Sequence, residues 1–468
     1  MFDIVIIGAG IVGCSIARKL ARYHGKIALL EKNIEVGMET TKANSAIVHA
    51  GYDCKVGSLK AKLNVQGNAM FPALSKELGF AFRNIGSLVL AFGAEEDVLV
   101  QELYERGIKN GVPKLSILTG EQARKIEPKL SEEVTSALYA KTAGVVDPFN
   151  FCFAMAENAV QNGVELFTQT EVQSLAQKED YFVIYTNQGE FKSRFVINAA
   201  GLYSANISRL TGENDYDIVP TMGVYRLLSK NPKDMIETVL FQVPTEKGKG
   251  VLVTSTYAGN TMVGPTTEKI SKDFGTSTQA DSLAQIDDLA KKSVPSLNYK
   301  ATIRIFSGVR AKPTTGEFMI YPSKTMQGFI HVGGIESPGL TSAPAIAEYV
   351  AELLQAQGFA LQAKPDFVPS RKPIAKKWSF DIHVQDSTEE YICLCERITE
   401  TEIVDAIYRP AGARTIEGIK RRVRAGMGPC QGKRCRPKVA QILARELNIN
   451  VEDIPKDISG EEIVARFK

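Results

Sequence analysis

Met1-Phe2-Asp3-Ile4-Val5-Ile6-Ile7-Gly8-Ala9-Gly10-Ile11-Val12-Gly13 opens the chain, and how these residues are read decides the fold. Phe2 to Ile7 is a short apolar run suited to a buried strand. Three glycines follow as G-x-G-x-x-G, and Ile11 to Arg22 then carries apolar residues at helical spacing. Lys26 to Leu30 is a second β-type run, ending on Glu31. Strand, glycine turn, helix and acid together specify a dinucleotide site. Gly8 makes the tight turn, Gly10 lets backbone approach a pyrophosphate, and Gly13 lets helix and strand pack closely. The helix N-terminus offers unpaired N–H groups and about half a positive charge to phosphate. Glu31 is placed to accept ribose hydroxyls, and its charge repels a 2′-phosphate.

Bulk properties narrow the class around that unit. The 468 residues suffice for about three domains, and 44% of them are apolar, enough to fill real cores. A net charge of +3 argues against a dedicated nucleic-acid binder. The best uncharged apolar stretch, Ile4 to Ala17, is too short for a bilayer span. Met1-Phe2-Asp3 lacks the basic region of a signal peptide, so a cytoplasmic protein is expected, peripheral to the inner face of a membrane only through a partner. Seven cysteines in a reducing compartment do not suggest a disulfide framework. Cys14, Cys54 and Cys152 are scattered, whereas the other four share one C-terminal stretch.

Along the chain, Glu39 to Gly51 is rich in small hydroxyl and amide groups, among them Thr41, Asn44 and Ser45, as a loop tracking phosphates and a ring edge would be. His49 lies in it; a hydrogen-bonded core imidazole is the plainer reading of that residue. Ser58 caps a helix ending near Gly79, with Pro72 a kink. Residues 80 to 145 read as strands and short helices outside the nucleotide core. Asp147-Pro148 starts a helix that Gly163 closes, with Cys152 on its packed face. Val164 to Thr168, Tyr181 to Thr186 and Phe191 to Ile197 read as a meander. It leads into Asn198-Ala199-Ala200-Gly201, where Ala200 and Gly201 admit something flat or charged. Val251 to Thr256 and Thr261 to Gly264 form a hairpin across Gly259-Asn260, and 216 to 300 is largely antiparallel sheet. Gly308-Val309-Arg310 precedes a strand at Phe318 to Tyr321. Phe329 to Val332 is a further strand, running into Gly333-Gly334-Ile335-Glu336-Ser337-Pro338-Gly339-Leu340-Thr341 and a helix from Ala343 to about Leu354. This repeats the pattern of strand, glycine-rich turn and helix start. Pro365, Pro369 and Pro373 among basic residues mark a semi-rigid linker.

Beyond the linker, Cys393-Leu394-Cys395 is answered by Cys430 and Cys435. Thr399 to Glu402 is a capping box for a helix to about Tyr408, a second helix spans Thr415 to Ala425, and Pro437 starts a third. Four thiolates on turns between short helices describe a metal site. Zinc is one reading. A 2Fe-2S cluster is favoured because the rest of the chain promises redox chemistry. Eight Lys and Arg between Lys420 and Lys438 would offset the cluster's charge and present a docking surface; a solvated face or a nucleic-acid patch are the alternatives.

The opening fingerprint, the Thr41 to Gly51 loop, the Asn198 to Gly201 turn and Gly333 to Thr341 together resemble the D-amino-acid-oxidase-like superfamily of FAD enzymes, over residues 1 to about 360. Asn44 to Gly51 and Ser337 to Thr341 look most like its L-2-hydroxyglutarate oxidase branch. Gly308-Val309-Arg310 is shared with flavin-dependent glycerol-3-phosphate dehydrogenases. One departure from the latter is Ile335-Glu336-Ser337-Pro338, where a Lys- and Thr-rich turn is the family pattern. Cys393 to Pro437 resembles the bacterioferritin-associated-ferredoxin-like 2Fe-2S module, which also ends the catalytic subunit of the anaerobic glycerol-3-phosphate dehydrogenase.

The resemblance implies an α/β protein: a Rossmann-like FAD-binding domain with an antiparallel-sheet substrate cap, plus a small helical iron-sulfur C-terminal domain. The FAD domain would comprise 1–80, 146–215 and 301–362, the cap 81–145 and 216–300, the linker 363–390 and the 2Fe-2S domain 391–468. FAD would rest on Gly8, Gly10, Gly13, Glu31, Thr41, Asn44, Ser45, Ala200, Gly201, Gly333, Gly334, Gly339, Leu340 and Thr341. The cluster would take Cys393, Cys395, Cys430 and Cys435. The implied chemistry is hydride transfer from a hydroxyl-bearing carbon to flavin N5, with electrons leaving through the cluster. An imidazole is the natural base near neutral pH. His49 is the first candidate and His331 the second. Arg310 can hold an anionic substrate bidentately unless it is a structural ion pair, and Tyr225 lines the pocket or packs the core. The substrate expected first is sn-glycerol 3-phosphate, oxidised to dihydroxyacetone phosphate. A 2-hydroxy acid such as L-2-hydroxyglutarate comes next, and an amino or imino acid third. A non-catalytic electron-transfer subunit is the reading from another class; the cap and the paired His and Arg favour an enzyme. The partner would be an electron-accepting protein, a second flavoprotein subunit or a quinone-linked one.

Overall fold

The computed structural model describes residues 1–244, 250–270, 280–374 and 389–455. Phe2–Ile7 is the centre of an eight-stranded sheet, because Ile4 to Ile7 are buried on both faces. It pairs parallel with Ile27–Leu30 on one side and Gly189–Asn198 on the other. Phe329–Gly333 runs parallel to the end of Gly189–Asn198, with Met319–Pro322 antiparallel beside it. The meander of this sheet is Val172–Gln177, Phe182–Thr186 and Gly189–Asn198. Glu165–Phe167, expected within it, instead lies parallel to Ile27–Leu30 at the opposite edge. Val172–Gln177 escaped the sequence reading because VQSLAQ has no buried position and so no clear alternation.

Helices Ile11–Leu20, Leu59–Leu78, Pro148–Gln161 and Gly339–Ala356 pack together around the same core. Their ends follow the expected chemistry. Ser58 accepts the Ala61 N–H, Gly79 is left-handed at φ 67°, and Asp147 accepts from Phe149 and Asn150. Gly339–Ala356 begins before the expected Ala343; glycine and proline at its start mimic turn signals.

A nine-stranded sheet forms the second body. It contains Ser87–Ala91, Leu115–Thr119, Ser136–Ala140 and Ile218–Leu228, together with Val239–Gln242, Leu252–Ser255, Thr261–Gly264 and Glu268–Lys269. The hairpin pairs Ser255 with Thr261, as expected. Thr302–Pro313 is also part of it, antiparallel to Ile218–Leu228 over eleven paired positions. Gly308-Val309-Arg310 precedes the strand Met319–Pro322, as expected, and lies inside a long strand of its own. Gly308 marks a close backbone approach within it. Helix Ala94–Lys109 is longer than the short helices expected there, and Ala280–Ser293 is a helix where sheet was expected.

The C-terminal body is a two-stranded hairpin, Tyr391–Cys393 with Ile398–Thr399, and three helices, Glu400–Tyr408, Ile416–Val423 and Arg436–Leu447. The Thr399–Glu402 capping box is formed in both directions. Residues 363–374 are strapped to the first body: Asn158 holds the carbonyls of Val368 and Ser370, and buried Arg371 donates to Glu157 at 2.6 Å. The remainder of the expected linker, 375–388, lies outside the described residues, as does 456–468. No described helix is long and apolar enough to cross a membrane.

Candidate active site and metal centre

The glycine turn is built by contact, one residue at a time. Gly8 sits at φ +101°, and a Cβ there would lie 2.6 Å from the Ala199 carbonyl oxygen. A Cβ on Gly13 would lie 1.9 Å from the Gly8 carbonyl oxygen. At Gly10 a Cβ would meet only Thr41 Oγ1, at 3.3 Å, and at Gly201 it would meet nothing within 4 Å. Gly8 and Gly13 are thus fixed by neighbouring backbone, whereas Gly10 is crowded only by the Thr41 hydroxyl and Gly201 borders open space. Thr41 Oγ1 accepts the Ile11 N–H at 3.1 Å, supplying the cap that Gly10 lacks. The first turn of that helix carries no acid, so its positive end is left for an anion.

Glu31 is buried and braces this turn. Its two oxygens accept from Ala9 N and Asn33 N, each at 2.9 Å. Burial raises its pKa, opposed by those two backbone donors. Each oxygen keeps a further lone pair for a hydroxyl.

The second glycine turn meets the first loop. Thr341 Oγ1 accepts the His49 N–H at 2.9 Å and donates to the Ile47 carbonyl at 3.3 Å. A Cβ on Gly67 would lie 2.1 Å from the Thr341 carbonyl oxygen, so helix Leu59–Leu78 presses directly on this corner. Gly333 is crowded by Tyr216, Gly334 is left-handed against Pro313, and Gly339 abuts Ile335. Leu340 packs into the first core. Asn44 accepts from Ala46 N at 2.8 Å and donates to the Thr41 carbonyl at 2.9 Å, holding its loop in shape. Ala200 donates to Asn198 Oδ1 at 3.3 Å.

The long strand pair lies over that loop. Gly308 and Gly223 face one another in register, and a Cβ on Gly308 would lie 1.9 Å from the Ala43 carbonyl oxygen. Thr40 Oγ1 donates to the Val309 carbonyl at 2.7 Å, pinning loop to strand. Flanking the glycine pair, Arg310 donates to the Thr266 carbonyl at 3.3 Å and hydrogen-bonds Tyr225. Tyr225 also bonds Ser45 and stacks on Phe306 at 4.8 Å. Burial raises the Tyr225 pKa, and Arg310 pulls it back. His49 stacks on Phe241 at 5.8 Å, and Phe241 and Tyr225 share one apolar cluster. Ser45, Tyr225 and Arg310 therefore meet where loop and cap join, and His49 reaches the same apolar cluster through Phe241.

His331 is not brought to this group. It is fully buried in the nucleotide sheet between Tyr321 and Phe329, 3.4 Å from Glu213, and burial lowers its pKa. That removes it from the candidates for a base. The sequence ranks His49 ahead of His331 but cannot show the burial that sets them apart.

Comparison with known proteins agrees with this cradle. The family model described as DAO, FAD dependent oxidoreductase, matches residues 3–353, three-quarters of the chain. The chain belongs to the FAD-dependent oxidoreductase family. A second model, the BFD-like 2Fe-2S binding domain, matches residues 391–445. A protein of Caloramator mitchellensis named glycerol 3-phosphate dehydrogenase is 45% identical, across 99% of this chain and 98% of its own. The dithionite-reduced L-alpha-glycerophosphate oxidase of Mycoplasma pneumoniae with FAD bound superposes with a TM-score of 0.75. It is 31% identical and covers 79% of this chain and 98% of its own. The L-2-hydroxyglutarate dehydrogenase of Bos taurus is 34% identical over 56% of this chain and 60% of its own.

In this FAD-dependent oxidoreductase the cofactor fits the residues present: the glycine turn, the acid-free helix start and the open edge at Gly201 suit a pyrophosphate and its neighbours. Gly13→Ala is expected to strip the flavin, because the added methyl has only the Gly8 backbone to push against. Absorbance near the flavin bands of purified protein checks this; full flavin occupancy in the variant would contradict it.

The cysteines also fit their group. Their thiols fall as two pairs: Cys395 and Cys430 are 3.6 Å apart, and Cys393 hydrogen-bonds Cys435. No group of three metal-ligating side chains converges on one point among the described residues. Two pairs suit two irons bridged by sulfide better than one tetrahedral zinc. The Cys435 hydrogen bond draws the Cys393 thiol down to about 6, with backbone donors from Gly426 and Glu396 adding to it, while Cys435 is pushed up. Backbone N–H groups of Gly432 and Arg434 likewise point at Cys430. Such donors tune an iron-sulfur centre.

The basic run is divided. Lys433, Arg434 and Lys438 are exposed, as the expected docking surface requires. Lys420, Arg421, Arg422 and Arg424 are instead buried, in an internal joint. Arg422 meets Glu35, and Arg424 meets Glu396 and, at 3.1 Å, the Tyr257 hydroxyl. Charge counting in sequence cannot tell a surface from a joint of this kind.

Proposed function

We propose that the enzyme oxidises the secondary hydroxyl of sn-glycerol 3-phosphate to give dihydroxyacetone phosphate. The observation that carries this reading is the full-length similarity to the Caloramator glycerol 3-phosphate dehydrogenase. FAD, when bound, supplies the hydride acceptor. His49, steadied through its backbone by Thr341 and through its ring by Phe241, takes the hydroxyl proton as the carbonyl forms. Arg310 receives the substrate's anionic end on the donors not used by Thr266 and Tyr225. Tyr225, itself held by Ser45, fixes the Arg310 side chain.

The 2-hydroxy-acid reading is kept alive by the bovine relative, since a guanidinium accepts a carboxylate as readily as a phosphate. Anaerobic bleaching separates them. Glycerol 3-phosphate should reduce the flavin within the mixing time of a manual assay, and L-2-hydroxyglutarate at equal concentration should leave it yellow; the reverse order would overturn the proposal. The exposed Lys433 and Arg434 beside Cys430 support an acidic protein acceptor, a second flavoprotein subunit or a quinone-linked one at a membrane's inner face.

A further inference from the structure

The segment from Glu31 to Lys42 carries two of the flavin contacts expected above, Glu31 and Thr41, and it is tied back to the glycine turn by Gly37 N to the Ala9 carbonyl at 2.9 Å. Midway along it, Glu35 is buried against the cysteine domain. Its carboxylate accepts Arg422 Nη1 at 2.6 Å, Thr415 Oγ1 at 2.8 Å and Arg414 N at 3.0 Å, with Arg421 at 3.9 Å. A Cβ on Gly418 would lie 2.0 Å from Glu35 Oε1, so only glycine lets that helix approach so closely. Arg422 is itself fully buried, lies 4.0 Å over the Phe153 ring, and its carbonyl accepts from Asn150. Arg421 reaches Met38 Sδ at 3.3 Å, on the same segment. Burial opposes the charge on Glu35, yet the two guanidiniums and the donors outweigh it and keep the carboxyl below its ordinary range.

We propose that the cysteine domain is a structural member of the flavin site, with Glu35 and Arg422 as positioning residues that hold the Glu31–Lys42 segment in its FAD-binding shape from behind. The Mycoplasma oxidase binds FAD on the same fold while aligning with only 79% of this chain. Dependence on the domain is therefore not a property of the fold. It follows from this chain's buried Glu35, which becomes an unpaired interior charge whenever the domain lifts away. Coupling of this kind is reciprocal: the domain raises affinity for FAD, and FAD holds the domain down by the same factor.

The inference rests on the FAD assignment and not on the choice of substrate, and its test uses binding alone. In full-length protein, Arg422→Met removes the guanidinium without touching any flavin contact, and Thr415→Val removes one donor as a milder change. The FAD dissociation constant is read from recovery of flavin fluorescence on dilution, and amide exchange is followed in 31–42 and 411–424. Both variants should bind FAD more weakly, Arg422→Met by about tenfold or more, with faster exchange in both segments. Stripping FAD from the parent should in turn speed exchange in 411–424. An FAD dissociation constant within twofold of the parent in the soluble variants overturns the proposal. So does flavin removal that leaves 411–424 unchanged, a measurement that needs no variant to fold.

Discussion

Arg310→Met is expected to lower kcat/KM for glycerol 3-phosphate by roughly thirtyfold to a few thousandfold, with flavin content unchanged. The estimate follows from losing a charge-assisted contact in a part-buried site, worth about 2–5 kcal/mol, at about 1.4 kcal/mol per factor of ten. The residue sits on a rigid strand, opposite Thr221, and is held by Thr266 and Tyr225. Its position is therefore set before substrate arrives, and no ordering cost is added on binding. Arg310→Lys keeps the charge but not the planar fork, so it should recover only part of the loss. Steady-state rates with an artificial acceptor measure both. A change smaller than threefold in Arg310→Met would make the residue structural. Tyr225→Phe offers a finer reading of the same site: it keeps the stack on Phe306 while freeing one guanidinium donor, so KM should rise more than kcat falls.

The parts of this molecule legible in its sequence are those governed by neighbours in the chain. The first strand, glycine turn and helix were legible because period, glycine spacing and the acid at Glu31 agree. Ser58, Asp147, Thr399 and Gly79 were legible because a cap is decided within four residues. What stayed hidden depends on partners far away. Gly308 and Gly223 lie far apart in the chain, and only the fold shows that they pair, Gly308 making room for the Ala43 backbone and Gly223 for the Arg310 side chain. Arg421 and Arg422 look like any exposed basic pair until Glu35 is set against them. His49 stands ahead of His331 in sequence without a reason from packing, and burial and the Glu213 contact supply it. Among the residues expected to hold flavin, Gly8 and Gly13 turn out to be dictated by contact with backbone, Gly10 is crowded only by the Thr41 hydroxyl, and Gly201 has open space beside it.

The paired substitution Cys395→Ser, Cys430→Ser should abolish the cluster while leaving flavin reduction by substrate intact. These two thiols form the outer pair, one exposed and one half-buried, whereas Cys393 and Cys435 are packed in the domain core beside Ile398 and Val439. Removing the outer pair takes away half the ligands of a four-thiolate site without emptying that core, so the helix carrying Arg422 keeps its packing. Anaerobically prepared parent protein should hold about two irons and two acid-labile sulfides per chain, and the variant close to none. Stoichiometric zinc without sulfide in the parent would overturn the cluster assignment. His49, Tyr225 and Arg310 stand on the flavin loop and the cap strands, so glycerol 3-phosphate should still bleach the variant's flavin at the parental rate. Turnover with a protein acceptor should collapse, while turnover with a small dye that reaches the flavin directly should persist. An enzyme that passed electrons straight from flavin to its acceptor would show equal loss in both assays, or in neither. The split between the two rates is therefore the measurement that tells an appended structural domain from an exit for electrons.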